Sequence, residues 1–223
     1  MSLLLSGWLG LGALILFHLS PPALSSITIA IECTNGVIIG TDSVSSFGSD
    51  GQSLIQNRFS TSVFPVDGGQ LCLCYISGGA EFHSLLEDIL STSLDFRLQQ
   101  QSSHTFDDHS RLGVQAVSNV ARRLMHTKYR KTHVLVVGRQ DDSFAVYELL
   151  PGGTSVRQPI AASGTAAAHA YALASLLFEE PCNVEEGIPR LKTVLQRSIG
   201  QDHRAKGRLR VFSLTAQGLE ETS

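Results

Sequence analysis

The order of strand and helix signals along the chain constrains its fold more than any other feature. Short, β-branched segments predict strands over 26–33, 37–41, 71–77, 133–138, 143–149 and 208–214. Apolar residues at helical spacing predict helices over about 80–101, 112–129, 166–178 and 184–199. Two helices in the middle and two near the end, each pair flanked by strands, predict an α+β fold. We expect a four-layer α-β-β-α sandwich of two facing antiparallel sheets flanked by helices.

The first predicted element is a β-hairpin. Residues 26–33 (SITIAIEC) and 37–41 (VIIGT) are alternating and β-branched. The Asn35-Gly36 pair between them is typical of a type I′ turn. The two strands are therefore expected to pair, with Asp42 at the end of the second strand.

Residues 1–25 form an apolar leader that precedes a predicted domain over 26–223. The first Lys or Arg of the chain is Arg58, so the leader has no basic start. An apolar run over 3–19, then two prolines and Ala-Leu-Ser at 23–25, resembles a signal peptide with its cleavage site. The other interpretations are a pro-segment removed on maturation or a start region foreign to the mature protein. All three place the first residue of the folded domain near Ser26.

Composition excludes several functions. Lys and Arg number 17 against 20 Asp and Glu, which leaves no basic field for nucleic acid. No stable membrane association of the folded domain is expected. The four cysteines lack the spacing of a metal site, and we expect them to be buried free thiols. The eight histidines, His133 among them, show no metal-ligand pattern, and most are predicted to lie on the surface. No phosphate-binding glycine motif occurs, so no metal and no cofactor are predicted.

Several segments, in this order and spacing, resemble the β subunits of the 20S proteasome over nearly the whole domain. They are SITIAIECTNGVIIGTDSVSS, LIQNRFSTSVFPV, CYISGGAEFHSLLEDI and VRQPIAASGTAAAHAYAL. The last is most similar to the caspase-like branch and its interferon-inducible version. The resemblance implies the N-terminal-nucleophile hydrolase fold and threonine-type endopeptidase chemistry. It also implies partners among proteasome α and β subunits, a peptide or unfolded protein as substrate, and a location in cytoplasm and nucleus.

The resemblance also assigns catalytic residues. Counting back from Asp42 puts Ser26 at the position of the nucleophilic threonine, whose hydroxyl attacks a peptide carbonyl while its own α-amino group accepts the proton. Ser163 matches a serine of the family's glycine-serine loop, and Asp202 matches a late aspartate. A structural interpretation stands beside the catalytic one, since Asp42 can cap a turn and Ser163 can be the N-cap of the following helix.

Several positions depart from the family pattern. Ser62 occupies the position of the active-site lysine, with Thr61 before it, and Ala205 occupies the position of the late serine. The lysine supplies a positive charge that stabilises the deprotonated hydroxyl. Ser25 replaces the glycine before the nucleophile, where the family cleaves its own pro-segment. The site is therefore expected to be weakly active or inactive.

The resemblance further implies a substrate pocket that includes Ser45, Ser46 and Ile76. Ile76 stands where the caspase-like subunit has a basic residue, so the pocket is expected to favour apolar substrate ends. A strand-core role for Ile76 is the alternative.

Two functions remain open from the sequence. In the first, the chain is a β-type subunit that contributes ring contacts and chamber wall while other subunits cut. In the second, it is an active peptidase or amidohydrolase with a serine nucleophile, exported to the secretory pathway, where leader cleavage exposes Ser26. The missing lysine favours the first function, and the cleavage-like sequence before Ser26 favours the second.

Overall fold

The computed structural model of the chain describes residues 27–42, 62–66, 69–77, 80–101, 113–201 and 208–222. These residues form two antiparallel sheets of five strands each, with strand orders β10-β9-β2-β1-β8 and β3-β4-β5-β6-β7. The first sheet contains β1 (Thr28–Cys33), β2 (Gly36–Asp42), β8 (Ile160–Ser163), β9 (Leu209–Thr215) and β10 (Gly218–Thr222). The second contains β3 (Val63–Val66), β4 (Leu71–Ser77), β5 (His133–Gln140), β6 (Ser143–Leu150) and β7 (Thr154–Arg157). Four helices accompany them: α1 (Ala80–Gln101), α2 (Val114–Thr127), α3 (Ala167–Leu177) and α4 (Val184–Gln201).

Three apolar clusters separate four layers, which confirms the predicted sandwich. One lies between the second sheet and helices α1 and α2, and includes Leu73, Phe82 and Val117. The next lies between the two sheets and includes Ala30, Val137 and Leu214. The third lies between the first sheet and helices α3 and α4. Each sheet therefore buries one face against the other sheet and one against helices.

Alternation along the strands explains this double burial. In β1, Ala30 belongs to the cluster between the sheets, whereas Ile29 and Ile31 belong to the cluster beneath α3 and α4. Successive strand side chains point to opposite faces, so an all-apolar alternation of small and large residues buries both.

The helices match their predicted ranges within about three residues, with one difference in burial. Leu90 and Leu94 belong to the apolar residues at helical spacing that predict α1, but they are 42% and 57% exposed. The packed face of α1 is narrower than its sequence indicates and rests on Phe82, Leu85 and Ile89. In the described ranges, no helix has the length and apolarity needed to span a bilayer.

The β1–β2 hairpin is confirmed, but its predicted type I′ turn is wrong. Cys33 pairs with Gly36, so the turn residues are Thr34 and Asn35. A type I′ turn needs positive φ at both central residues, and Asp141 is the only non-glycine residue with positive φ in the described ranges. Gly36 serves another purpose, because a Cβ on it would lie 2.4 Å from the carbonyl oxygen of Leu214.

Four strands were not predicted: β3, β7, β8 and β10. All four lie at sheet edges, and β3, β7 and β8 are only four residues long. β3 contains Pro65, which is tolerated at an edge but is depleted in strands generally. Because β10 follows β9, the strand predicted over 208–214 is not the last strand of the domain.

The four cysteines are free, as predicted, and three of them are buried. Cys33 and Cys182 face each other where the β1–β2 hairpin meets the segment before α4, and the backbone N–H of Thr34 donates to the Cys182 carbonyl at 3.0 Å. Burial, together with the neighbouring Cys182, raises the pKa of the Cys33 thiol to about 12.

We expect Gly36→Ala to lower the free energy of unfolding by about 1–3 kcal/mol, because its Cβ collides with backbone that cannot move aside. Urea unfolding followed by circular dichroism measures the change. Gly200→Ala is the matched control, since a Cβ there meets nothing within 4 Å and alanine favours a helix. Equal effects of the two substitutions would contradict the packing argument.

We also expect Cys33 to resist alkylation. Only the thiolate reacts, so at pH 8 iodoacetamide should modify Cys33 in the native chain at least about 10²-fold more slowly than in urea. Peptide mass spectrometry gives both rates. Similar rates in the two states would show that the thiol is not protected by the fold.

Candidate active site at the start of β1

The structure describes four of the residues that the sequence assigns to the site. Asp42, Ser62, Ile76 and Ser163 lie in the described ranges. Ser26, Ser45, Ser46, Asp202 and Ala205 lie outside the described residues, so their assigned roles stay predictions.

Asp42 fixes the backbone immediately after Ser26. Its carboxylate, at the end of β2, is 1% exposed. Its Oδ1 accepts a hydrogen bond from the backbone N–H of Ile27 at 3.3 Å, and the backbone N–H of Asp42 donates to the Ile27 carbonyl at 3.4 Å. The carboxylate therefore holds the main chain one residue from the predicted nucleophile.

Ser62 sits in a buried network of neutral groups. It is 5% exposed, and its hydroxyl hydrogen bonds with the Thr41 hydroxyl at 3.2 Å. The Thr41 hydroxyl also lies 3.2 Å from the Ile27 carbonyl oxygen. Position 62 is thus beside the start of β1, where the resemblance places the lysine, but it supplies a hydroxyl that carries no charge.

Ser163 flanks β1 from the other side. It is the last residue of β8 and pairs with Thr28, whose other neighbour is Thr41. The start of β1 therefore lies between the ends of β2 and β8, which brings Asp42, Ser62 and Ser163 to one region. The predicted alternative of Ser163 as a helix N-cap is wrong, because the N-cap of α3 is Ala166 and it makes no side-chain cap hydrogen bond.

Sequence reasoning missed two residues beside Ser163. The hydroxyl of Ser163 lies 3.4 Å from Nδ1 of His133, and Nε2 of His133 lies 2.9 Å from Oε1 of Glu148. The side chains of His133 and Glu148 are only 13% and 15% exposed. His133 is therefore largely buried, unlike the surface position predicted for most of the histidines.

The sequence did contain a signal for this pair. The β5–β6 hairpin turns at Asp141 and Asp142, and its register pairs Leu135 with Glu148. His133 is two residues from Leu135 on the same strand, so it shares a face with Glu148 as a diagonal neighbour. Counting outward from the polar turn would have placed an imidazole next to a carboxylate.

Ile76 occupies an irregular position in β4. Tyr75 pairs with Val134 and Ser77 pairs with His133, which leaves Ile76 as an extra residue at a register shift. Its side chain is fully buried in the cluster between the sheets, the environment of a strand-core residue. A part in a substrate pocket stays a prediction.

The described ranges contain no group of three or more His, Cys, Asp or Glu side chains that could hold a metal ion. The described side chains at this site offer hydroxyls, carboxylates and one imidazole for chemistry.

Comparisons with known proteins agree with this fold. A family model described as proteasome subunit matches residues 24–213. The chain is similar to proteasome subunit beta type-9 of Mus musculus bactrianus, at 24% identity over 196 residues, 86% of this chain and 83% of that protein. It is similar to proteasome subunit beta type-1 of Saccharomyces cerevisiae, at 25% identity over 201 residues, 89% of this chain and 87% of that protein.

A third relative extends the likeness beyond eukaryotes. Proteasome subunit beta of Methanosphaera stadtmanae is 19% identical over 194 residues, 86% of this chain and 88% of that protein. The family model matches most of the chain, and the relatives match along most of their own lengths. The resemblance seen in the sequence is thereby confirmed, and the chain belongs to the proteasome β-subunit family.

Proposed function

We propose that the chain is a β-type subunit of a 20S core particle whose own peptidase site is weak or inactive. It contributes ring contacts and chamber wall, while other subunits cut the peptide or unfolded protein substrate. Its partners are proteasome α and β subunits, and its location is the cytoplasm and nucleus. The single observation that carries the proposal is the neutral, hydrogen-bonded Ser62 beside the start of β1.

The activity of such a site depends on a positive charge near the nucleophile. An N-terminal hydroxyl nucleophile needs stabilisation as it loses its proton, and a nearby cation supplies it. A serine hydroxyl at position 62 offers a dipole only, and its hydrogen bond with Thr41 already engages it. Loss of one positioned electrostatic group reduces rates by about 10²–10³-fold. Asp42 still holds the backbone at Ile27. The backbone geometry of the site is therefore kept, although position 62 supplies no charge.

A direct test uses the native full-length chain. N-terminal sequencing and intact mass establish whether Ser26 is the first residue, and an epoxyketone probe then reports its reactivity. We expect little or no labelling of Ser26 even after correct processing. Strong labelling of a free Ser26 would overturn the inactive assignment, and recovery of a secreted, processed monomer would support the serine-hydrolase alternative.

Ser26→Ala should leave assembly unchanged and remove little or no peptidase activity from particles that contain the chain. The hydroxyl that it removes lacks the cation that would activate it. Density-gradient profiles measure assembly, and fluorogenic peptides measure turnover. A large loss of turnover in this variant would show that Ser26 is an effective nucleophile.

The double variant Ser62→Lys with Thr61→Asp should raise peptidase activity by about 10-fold or more, because it returns a cation to the site. Ser62→Met with Thr61→Asp is the matched control, since methionine fills similar space without charge. Both variants need the thermal unfolding temperature as a check on folding. If a folded, processed lysine variant is no more active than the methionine control, the substitutions at Ser25 and Ala205 limit the site instead.

A further inference from the structure

We propose that Ser163, His133 and Glu148 form a second hydrolytic site, a nucleophile, base and carboxylate set that acts on small carboxylic esters and related acyl compounds. This inference goes beyond the subunit function and needs neither Ser26 nor leader removal. The three side chains come from β8, β5 and β6, so the fold and not local sequence brings them together.

The hydrogen bonds run in the serine, imidazole, carboxylate order of serine hydrolases, with the roles of the two ring nitrogens exchanged. Ser163 Oγ lies 3.4 Å from His133 Nδ1, and His133 Nε2 lies 2.9 Å from Glu148 Oε1. With the proton on Nε2, the ring donates to Glu148 and presents Nδ1 as an acceptor for the Ser163 hydroxyl. A carboxylate that fixes the tautomer of an imidazole is what makes the imidazole an effective base.

A further contact holds the carboxylate. The side-chain amide of Gln158 donates to Oε2 of Glu148 at 2.5 Å, so both carboxylate oxygens have partners. Of the described groups, the hydrogen-bond partners of the His133 ring are Glu148 and Ser163. The ring is therefore fixed on both sides, and its free rotation is lost before any substrate binds.

Two backbone irregularities lie next to the side chains of His133 and Ser163. The register shift at Ile76 falls opposite His133, and bulges of this kind redirect side chains next to functional sites. Ser163 ends a strand, and the next residue, Gly164, has a φ of 110° that turns the chain toward α3. A nucleophile between a strand end and a helix start is the arrangement that exposes serine hydroxyls in other hydrolases.

The site has a source of oxyanion stabilisation. Ser163 is largely buried, with 9% of its surface exposed, so the proposal is restricted to small acyl groups. The N-terminus of α3 begins just after Gly164, and its N-cap, Ala166, makes no side-chain hydrogen bond. The partial positive charge of a helix N-terminus favours an oxyanion there.

The proposed reaction balances without any further cofactor. Ser163 Oγ bonds to the acyl carbon while His133 Nδ1 takes the hydroxyl proton, and the same proton then passes to the leaving alkoxide as the ester bond breaks. Water, deprotonated by Nδ1, attacks the acyl carbon, and the proton returns to Ser163 Oγ as the acid leaves. Glu148 acts through His133 and is a positioning residue.

An alkyl fluorophosphonate probe tests the proposal on the full chain in the assembly in which it is purified. The Ser163 oxygen forms a bond to phosphorus, fluoride leaves, and the hydroxyl proton passes through His133 to solvent. We expect mass spectrometry to locate the probe on Ser163 in the wild type. Ser118 is an internal control, since its hydroxyl contacts only the hydroxyl of Ser155, at 3.1 Å, among the bonds of the described side chains.

Variants separate catalysis from structure. Ser163→Ala should abolish the label, and His133→Gln should slow it by at least about 10²-fold. Glu148→Gln should slow the labelling, and Glu148→Asp, which keeps a carboxylate, should restore part of the wild-type rate.

Two outcomes would overturn the proposal of a second hydrolytic site. One is labelling of Ser163 no faster than of Ser118. The other is labelling that persists at the wild-type rate in folded His133→Gln. If His133→Gln does not fold, the wild type in urea replaces it, and Ser163 must then lose its preferential label. A Ser163 hydroxyl equally reactive in native and unfolded chains refutes the proposal.

Discussion

The strand β1 is buried on both faces, with Ala30 against the opposite sheet and Ile29 and Ile31 against the helical layer. A slip of one residue would exchange these faces and place large side chains where only a small one fits. The register of β1 with β2 and β8 is therefore fixed. Ile27 precedes β1, so the fixed register places Ile27 beside Asp42. The same register places Thr28 opposite Ser163. The geometry of the site follows from the packing of this one strand.

Two polar networks meet at the ends of these strands and differ in their chemistry. The network of Thr41 and Ser62 is neutral and buried, and it secures the backbone of Ile27 without supplying charge. The network of Ser163, His133 and Glu148 contains both a base and an anion. Position 62 carries a neutral serine, while an imidazole held by a carboxylate lies on the opposite side of β1.

The layered fold could be predicted from sequence because periodicity reports burial, and the strand and helix order left one sandwich that buries every apolar face. Short edge strands such as β7 were not predicted, since four mostly exposed residues leave no periodic signal. The role of Gly36 was predicted wrongly, because a turn and a close backbone contact both favour glycine. Asp42 and Ser163 were found only through resemblance. His133 was missed because its partner is 15 residues away and becomes its neighbour only through the hairpin register.

Native mass spectrometry of the assembly formed by an affinity-tagged, full-length chain in its own cells tests the central claim most directly. The account predicts a particle of ring-complex mass that contains this chain together with proteasome α and β subunits, and that stays intact when position 26 cannot act as a nucleophile. A chain recovered only as a free monomer or as an assembly with itself, with no other proteasome subunit, would contradict it.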